Sequence, residues 1–252
     1  GASPAGIAMP ASPSASLSPL TSSGQTPPSP AGEASGRWNG TAWLFWRERA
    51  QGAALSSAGQ LGGSQAGMRI DRRIGQAGTG GEPSPVLVYG RITRALDAPH
   101  QGEAALGLAI KPLNGRTALT VGIERRVAME SGARNAFALI VAGGLNPTRL
   151  IGPVMAEGYA QAGIVGASQQ DLFADGRLSL RAPLDRTQKV RAGISFSGGA
   201  QPGVSRLDIG PMAETRLPLG TAQPRLVVEW RQRIAGQARP GSGLSVTLAA
   251  DF

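Results

Sequence analysis

Residues 242–252 read Ser242-Gly-Leu-Ser-Val-Thr-Leu-Ala-Ala-Asp-Phe252, and they alternate strictly between two faces. One face is apolar throughout and carries Leu244, Val246, Leu248, Ala250 and Phe252. The other face is small and mostly polar and carries Ser245, Thr247, Ala249 and Asp251. Because successive side chains of a β-strand point to opposite sides, this stretch predicts an amphipathic strand that ends on an aromatic residue.

The same period of two continues backwards through the chain as far as Arg37. Each predicted strand is about 10 to 13 residues long, near the length that a tilted strand needs to cross a bilayer. The segments, twelve in all, are 38–47, 62–74, 86–96, 103–111, 117–127, 135–145, 154–165, 173–184, 189–198, 206–217, 225–235 and 243–252. Strands of a soluble sandwich are usually about five or six residues long, so a soluble all-β fold is the weaker alternative.

The terminal strand resembles the closing strand of Gram-negative outer-membrane β-barrels. The resemblance implies an all-β fold, an antiparallel transmembrane β-barrel of about 12 strands, in the bacterial outer membrane. It also implies outer-membrane lipid and lipopolysaccharide as surroundings, and recognition of the C-terminal strand by the barrel assembly machinery. No apolar run in the chain reaches the roughly 18 residues of a membrane-spanning helix, so a membrane location would require a closed barrel.

Two tight turns predict the orientation of the barrel. Asn114-Gly115 is a strong hairpin signal, and residues 184–188 join the eighth and ninth strands almost as tightly. An even number of strands places both termini at one end, and outer-membrane barrels keep their short turns on the periplasmic side. We therefore expect both termini to be periplasmic.

Residues 1–36 differ from the rest of the chain in composition. They are rich in Ala, Ser, Pro, Gly and Thr, with Glu33 as their only charge, and such a segment buries too little apolar surface to fold alone. We expect two regions, a disordered or extended N-terminal segment over 1–36 and a barrel over 37–252. Because the first residue is Gly, we also expect a processed or cut chain, with a missing upstream domain as one explanation.

The polar faces of the strands carry most of the charge. The chain has a net charge of +9, and 23 of its 25 basic residues are arginines, the exceptions being Lys111 and Lys189. If Phe252 faces lipid, the opposite face of every strand points inward. The inward bases, fourteen in number, are then Arg47, Arg69, Arg73, Arg91, Lys111, Arg126, Arg177, Arg181, Arg191, Arg206, Arg216, Arg225, Arg231 and Arg233. The inward acids, eight in number, are Asp71, Glu103, Glu124, Glu157, Asp208, Glu214, Glu229 and Asp251.

This excess of base predicts one function and leaves an alternative open. Surplus arginines favour anions, so we expect a channel that passes small anions or acidic saccharides. Its pathway would be lined by Arg69, Arg73, Arg126, Arg177, Arg181, Arg191, Arg206, Arg231 and Arg233. If the arginines and acids instead pair and close the lumen, the barrel is structural, an anchor or part of an export (translocator-type) assembly. The aromatics expected at the membrane interfaces are Trp38, Trp46, Trp230 and Phe252.

Motifs for catalysis are weak. The chain has no Cys and one His, His100, which follows Asp97 in a connector. A hydrolase using this pair is the least favoured function, and we expect no enzyme activity, no cofactor and no metal site. The glycine cluster 78–81 lacks the Lys and Ser/Thr of a phosphate loop. The arginines lie on alternating strand positions, so nucleic acid is not an expected partner.

Overall fold

A computed structural model describes residues 38–48, 61–74, 86–97, 101–113, 115–130, 135–166, 170–219 and 223–252. All regular structure within these ranges is β-strand. The twelve strands are β1 (Trp38–Arg47), β2 (Gln65–Arg73), β3 (Val86–Ala95), β4 (Gly102–Leu113), β5 (Thr117–Ala128), β6 (Ala136–Ile151), β7 (Val154–Val165), β8 (Asp171–Pro183), β9 (Val190–Gln201), β10 (Val204–Arg216), β11 (Arg225–Gly236) and β12 (Gly243–Asp251). In this part of the chain no helix is long and apolar enough to span a bilayer.

The strands form one closed antiparallel barrel in which each strand pairs with its neighbours in sequence, and β1 closes against β12. The predicted fold class is therefore confirmed. Closure leaves no unpaired sheet edge. Because the strands are even in number and run alternately up and down, the two ends of the barrel chain, Trp38 and Phe252, lie at the same end of the barrel. We call this the terminal end and the other the distal end.

The hairpin signals in the sequence correspond to connectors at the terminal end. The Asn114-Gly115 signal falls between β4 and β5, where Gly115 has a positive φ of 133°; Asn114 itself lies outside the described residues. In the β8–β9 connector, Asp185 accepts hydrogen bonds from the Thr187 hydroxyl and from the Val190 amide at 3.2 Å. These bonds, the Thr187 hydroxyl first, lower the pKa of Asp185 from its ordinary value.

One predicted strand is longer than its pattern indicated. The alternation predicts a sixth strand over 135–145, whereas β6 continues to Ile151 and pairs with β7 through two register shifts. β5 pairs with β6 only as far as Leu145, so the β6–β7 hairpin projects past the neighbouring wall at the terminal end. The shifts interrupt the strict period of two, which is why alternation alone ended the strand early.

Candidate functional site

The two faces of the wall differ sharply in chemistry. On β4, Leu106, Leu108 and Ile110 are exposed, while Ala105 and Ala109, which alternate with them, are buried. On β11, Trp230 is 44% exposed, whereas its neighbour Glu229 is 1% exposed and Val227 also 1%. A soluble protein would bury the leucines and expose the glutamate. This wall does the reverse, as a barrel surrounded by lipid requires.

The buried charges meet across the interior of the barrel. Arg47 on β1 donates from Nη1 to Oδ2 of Asp208 on β10 at 3.1 Å, although β12 and β11 separate these strands in the wall. Arg225 on β11 donates from Nη1 to Oε1 of Glu157 on β7 at 3.0 Å, and three strands separate that pair. Side chains of non-neighbouring strands can meet only inside the barrel, so the charged face is the inner one.

The chain has the fold of an outer-membrane β-barrel. No protein-family model matches it, and no curated protein sequence does. Among solved structures it is similar to the COG4313 outer membrane channel from Pseudomonas putida F1, at 10% identity over 85% of this chain and 94% of that chain, with a TM-score of 0.47. It is also similar to OmpT, an outer membrane protein of Vibrio cholerae, in its trimer form, at 8% identity over 85% of this chain and 98% of that chain, with a TM-score of 0.33.

A first group of interior charges lies on three adjacent strands, and we call it the Glu124 cluster. Arg91 contacts Glu124 at 2.7 Å and Glu103 at 2.6 Å. Arg126 contacts Glu124 at 2.6 Å, and the Tyr89 hydroxyl donates to Glu124 Oε2 at 2.9 Å. Both carboxylate oxygens of Glu124 therefore have donors, as a buried carboxylate requires.

A second group, the Glu157 cluster, ties five strands together. Glu157 accepts from Arg181 on β8 as well as from Arg225. Glu214 on β10 lies 3.6 Å from Arg181 and 3.5 Å from Arg191 on β9. Two glutamates and three arginines thus form a continuous network from β7 through β11.

A third group, the Glu229 cluster, lies nearer the middle of the barrel. Glu229 accepts from Arg231 at 2.9 Å, from Arg177 on β8 at 3.3 Å and from the Ser195 hydroxyl at 2.8 Å. The Arg231 guanidinium also lies 4.8 Å from the Phe45 ring centroid. Phe45 is itself fully buried, so an aromatic ring and ion pairs fill this level together.

Near the distal end, two chain segments fold over the interior. Leu61, in the described part of the β1–β2 connector, packs in a buried cluster with Val204 and Ala238, and its amide donates to the Arg239 carbonyl at 3.1 Å. We call residues 61–64 and 237–242 the distal cap. Since Leu61 and Ala238 are both buried, the cap covers this end on the β9–β11 side.

Three arginines hold the distal cap to the wall through backbone carbonyls. Arg206 donates to the carbonyls of Leu61 at 2.6 Å and Pro240 at 3.2 Å. Arg47 donates to the Gly241 carbonyl at 2.7 Å, and Arg233 donates to the Ala238 carbonyl at 2.5 Å. Arg206 and Arg47 also share Asp208. These guanidiniums join a carboxylate and backbone oxygens in one arrangement, which suits their fixed fork of donors.

The nine arginines predicted to line an anion pathway fall into three groups. Arg126, Arg177, Arg181, Arg191 and Arg231 pair with acids in the three clusters, whereas Arg206 and Arg233 bind the distal cap. Arg69 pairs with Asp71 at 2.7 Å and stacks on the Tyr89 ring at 3.8 Å. Arg73 shares the inward face of β2 with Arg69 and is half-buried.

Several interior residues escaped the sequence analysis. Asp175 is a buried acid that the alternation also places inward, and it accepts a hydrogen bond from Gln161 at 2.7 Å. Trp43 and Phe45 on β1 are also buried inside the barrel. Inward parity should have identified all three, because they share a face with Arg47 or Arg177.

The remaining candidates are at the outer wall or beyond the described residues. Trp38, Trp46, Trp230 and Phe252 are all exposed. They lie on the outer face of the wall, whose exposed apolar residues, among them Leu106, Leu108 and Ile110, we call the apolar belt. His100, the glycine cluster 78–81 and the segment 1–36 lie outside the described residues. Within the described ranges no group of three or more His, Asp or Glu side chains could hold a metal ion.

Proposed function

We propose that this chain is a structural, anchoring barrel of the outer membrane whose interior is closed by ion pairs. In this role the barrel holds at the membrane the chain that leads into β1, residues 1–37. The observation that carries the proposal is the pair Arg225–Glu157, which bridges β11 and β7 through the interior at 3.0 Å. Two further pairs, Arg47–Asp208 and Arg177–Glu229, span the interior in the same way.

The pairing pattern favours filling over passage. An anion pathway needs cationic donors that are free to meet a passing solute, yet seven of the nine predicted arginines bind carboxylates of the clusters or carbonyls of the distal cap. A buried charge is tolerable only when partnered. Some of the arginines that exceed the acids in number therefore donate to backbone oxygens. A count of charged side chains does not include these acceptors.

The membrane placement completes the proposal. The apolar belt would face outer-membrane lipid and lipopolysaccharide, with Trp38 and Phe252 at one interface. Both termini would be periplasmic, and the barrel assembly machinery would insert the chain through β12. Added cysteines test the orientation in intact cells. One in the β9–β10 turn, at the exposed Pro202, should react with an impermeant maleimide, and one in the β8–β9 connector should not.

Conductance distinguishes a closed barrel from a channel. The folded protein, checked by its heat-dependent shift on a gel, would be inserted into planar bilayers. We expect no steady current from the wild type. Any steady current would overturn the closed interior, and an anion-selective one would favour the second candidate below.

The second candidate is the channel for small anions or acidic saccharides. Its support is a set of inward-facing bases that lie towards the terminal end of the barrel and are only partly buried. They are Arg69, Arg73, Lys111 and Arg191. These side chains would form an entrance with an excess of positive charge. If the wild type conducts, Arg73→Gln should reduce anion selectivity while leaving the folded fraction unchanged.

A hydrolase role for His100 is the third and weakest candidate, and we propose that the barrel is not an enzyme. A hydrolytic activity of the detergent-solubilised protein towards ester or peptide substrates, abolished by His100→Ala, would contradict this. A residual activity equal in both proteins would indicate a contaminant.

A further inference from the structure

The outer wall is not uniformly covered by large side chains. Over β6–β9, towards the distal end, it contains an apolar groove with a volume of about 590 Å³. The groove is lined by Leu139 and Val141 on one side and by Pro202 on the other. Its floor is made of alanines, Ala162, Ala174 and Ala200, which face outward on adjacent strands. A concave apolar surface in lipid fits a flexible chain better than a flat wall does.

A cation lies next to this groove. Arg125 points outward on β5, and its guanidinium stacks on the Phe137 ring at 4.8 Å. Phe137 is the cross-strand partner of Arg125 and stands two residues from Leu139 in the groove wall. Two residues of a strand span about 6.6 Å. Arg125 is exposed and therefore available at the distal side of the groove.

We propose that the groove and Arg125 together bind one phosphorylated, multi-acyl lipid of the lipid A type. An acyl chain lies over Ala162, Ala174 and Ala200, and a phosphate contacts the Arg125 guanidinium. The order of the parts matches the lipid at the β6 side of the groove. There Phe137, the partner of Arg125, lies four residues nearer the distal start of β6 than Val141, the partner of Ala162. This inference rests on the proposed orientation, in which the distal end faces the leaflet that contains lipopolysaccharide.

A matched control exists at the opposite end of the barrel. Arg72 also points outward and stacks on an aromatic ring, that of Trp38, at 5.0 Å. It lies at the terminal end, on β2, away from β6–β9. Arg72 and Arg125 therefore share their chemistry and exposure but differ in the neighbouring groove.

Native mass spectrometry of the delipidated barrel in detergent tests the proposal, with bisphosphoryl lipid A, phosphatidylglycerol and phosphatidylcholine as probes. We expect the wild type to retain lipid A most strongly. Arg125→Gln should weaken its retention about tenfold, the effect of one charge-assisted hydrogen bond, and Ala174→Leu should weaken it by filling the groove floor. Arg72→Gln and Ala42→Leu, on other parts of the outer wall, should leave it unchanged.

Three results would overturn the inference. If Arg125→Gln and Arg72→Gln retained lipid A equally, Arg125 would not contact the phosphate. If phosphatidylcholine and lipid A bound equally, the groove would accept any acyl chain. A dimer that Ala174→Leu converts to monomer would assign the groove to a second copy of the chain. Lipid retention in detergent does not depend on conductance, so a conducting barrel that retains lipid A would contradict only the closed interior.

Discussion

Phe252 and Gly40 close the barrel as a pair. The Gly40 amide donates to the Phe252 carbonyl at 2.7 Å, and the Phe252 amide donates to the Gly40 carbonyl at 2.9 Å. The Phe252 ring covers Gly40 so closely that a β-carbon added to the glycine would lie 2.2 Å from the ring. Phe252 therefore joins β12 to β1 both through its backbone hydrogen bonds and through the packing of its ring. We call this junction of the two strands the seam.

Deleting Phe252 should weaken this seam. The deletion removes both hydrogen bonds of the pair, and we expect a loss of about 1–3 kcal/mol in the free energy of unfolding. Urea titration followed by the folded and unfolded bands on a gel measures it. Phe252→Tyr, which keeps the ring and the backbone bonds, is the control and should match the wild type; an equal loss in both would contradict the seam model.

Substitutions of two glycines should differ because their neighbours differ. A β-carbon at Gly40 would meet the tip of a terminal side chain, which can swing away, whereas one at Gly193 would lie 1.8 Å from the Leu180 carbonyl oxygen in the neighbouring strand. Backbone in a closed ladder cannot yield as easily. We expect Gly193→Ala to cost about 1–3 kcal/mol and Gly40→Ala distinctly less, by the same urea titration.

The ion pair that spans the barrel should be far more important for stability than a surface pair. Glu157→Gln leaves Arg225 and Arg181 without their shared carboxylate charge, and removing one partner of a buried pair costs about 3–5 kcal/mol. Glu130→Gln disrupts a pair between the partly exposed Glu130 and the exposed Arg94, where about 1 kcal/mol or less is expected. Urea midpoints of the two variants compare them directly. Equal midpoints would mean that the interior of the barrel is hydrated.

Strand number, strand positions and the inner face were predictable because a closed barrel repeats one simple rule. Apart from register shifts such as those in β6, the strands alternate between lipid and interior, so the polar face of each strand placed Arg47 and Glu229 on the inner face. The partners of these charges were not predictable. Arg225 meets Glu157 across three intervening strands. Which side chains come within contact distance across the interior depends on the tilt and shear of the barrel, and alternation does not encode either.

Backbone acceptors were invisible to the sequence analysis for a different reason. Arg206 binds the carbonyls of Leu61 and Pro240, and every residue of any sequence carries a carbonyl. Only the inward course of the two connectors decides which carbonyls are near. The predicted excess of positive charge left Asp175 out of the inward acids, and an excess of arginines did not mean that the guanidiniums were free.

Tyr89 offers a test of how ring packing and hydrogen bonding combine in the Glu124 cluster. Its ring covers Gly107, where an added β-carbon would lie 2.4 Å from the ring, and its hydroxyl donates to Glu124 at 2.9 Å. Tyr89→Phe keeps the ring and should cost about 1.5–3 kcal/mol, the range for a hydrogen bond to a charged group. Tyr89→Leu loses the ring as well and should cost more in the same titration. If the two variants lost the same free energy of unfolding, the packing of the Tyr89 ring on Gly107 would contribute nothing to stability.

The distal cap should loosen when its arginine is removed. Arg206→Ala removes the donors to Leu61 and Pro240 while Arg47 still neutralises Asp208. Hydrogen exchange at the Leu61 amide, which donates to the Arg239 carbonyl, should accelerate about tenfold or more, because local opening follows the lost hydrogen-bond energy. Arg206→Lys keeps the charge, but its ammonium group cannot reach Asp208 and both carbonyls at once. The exchange rate at Leu61 in this variant should therefore fall between those of the wild type and Arg206→Ala. Arg216→Ala, an exposed inward base towards the terminal end, is the control; if it accelerated exchange at Leu61 equally, Arg206 would have no specific role in holding the cap.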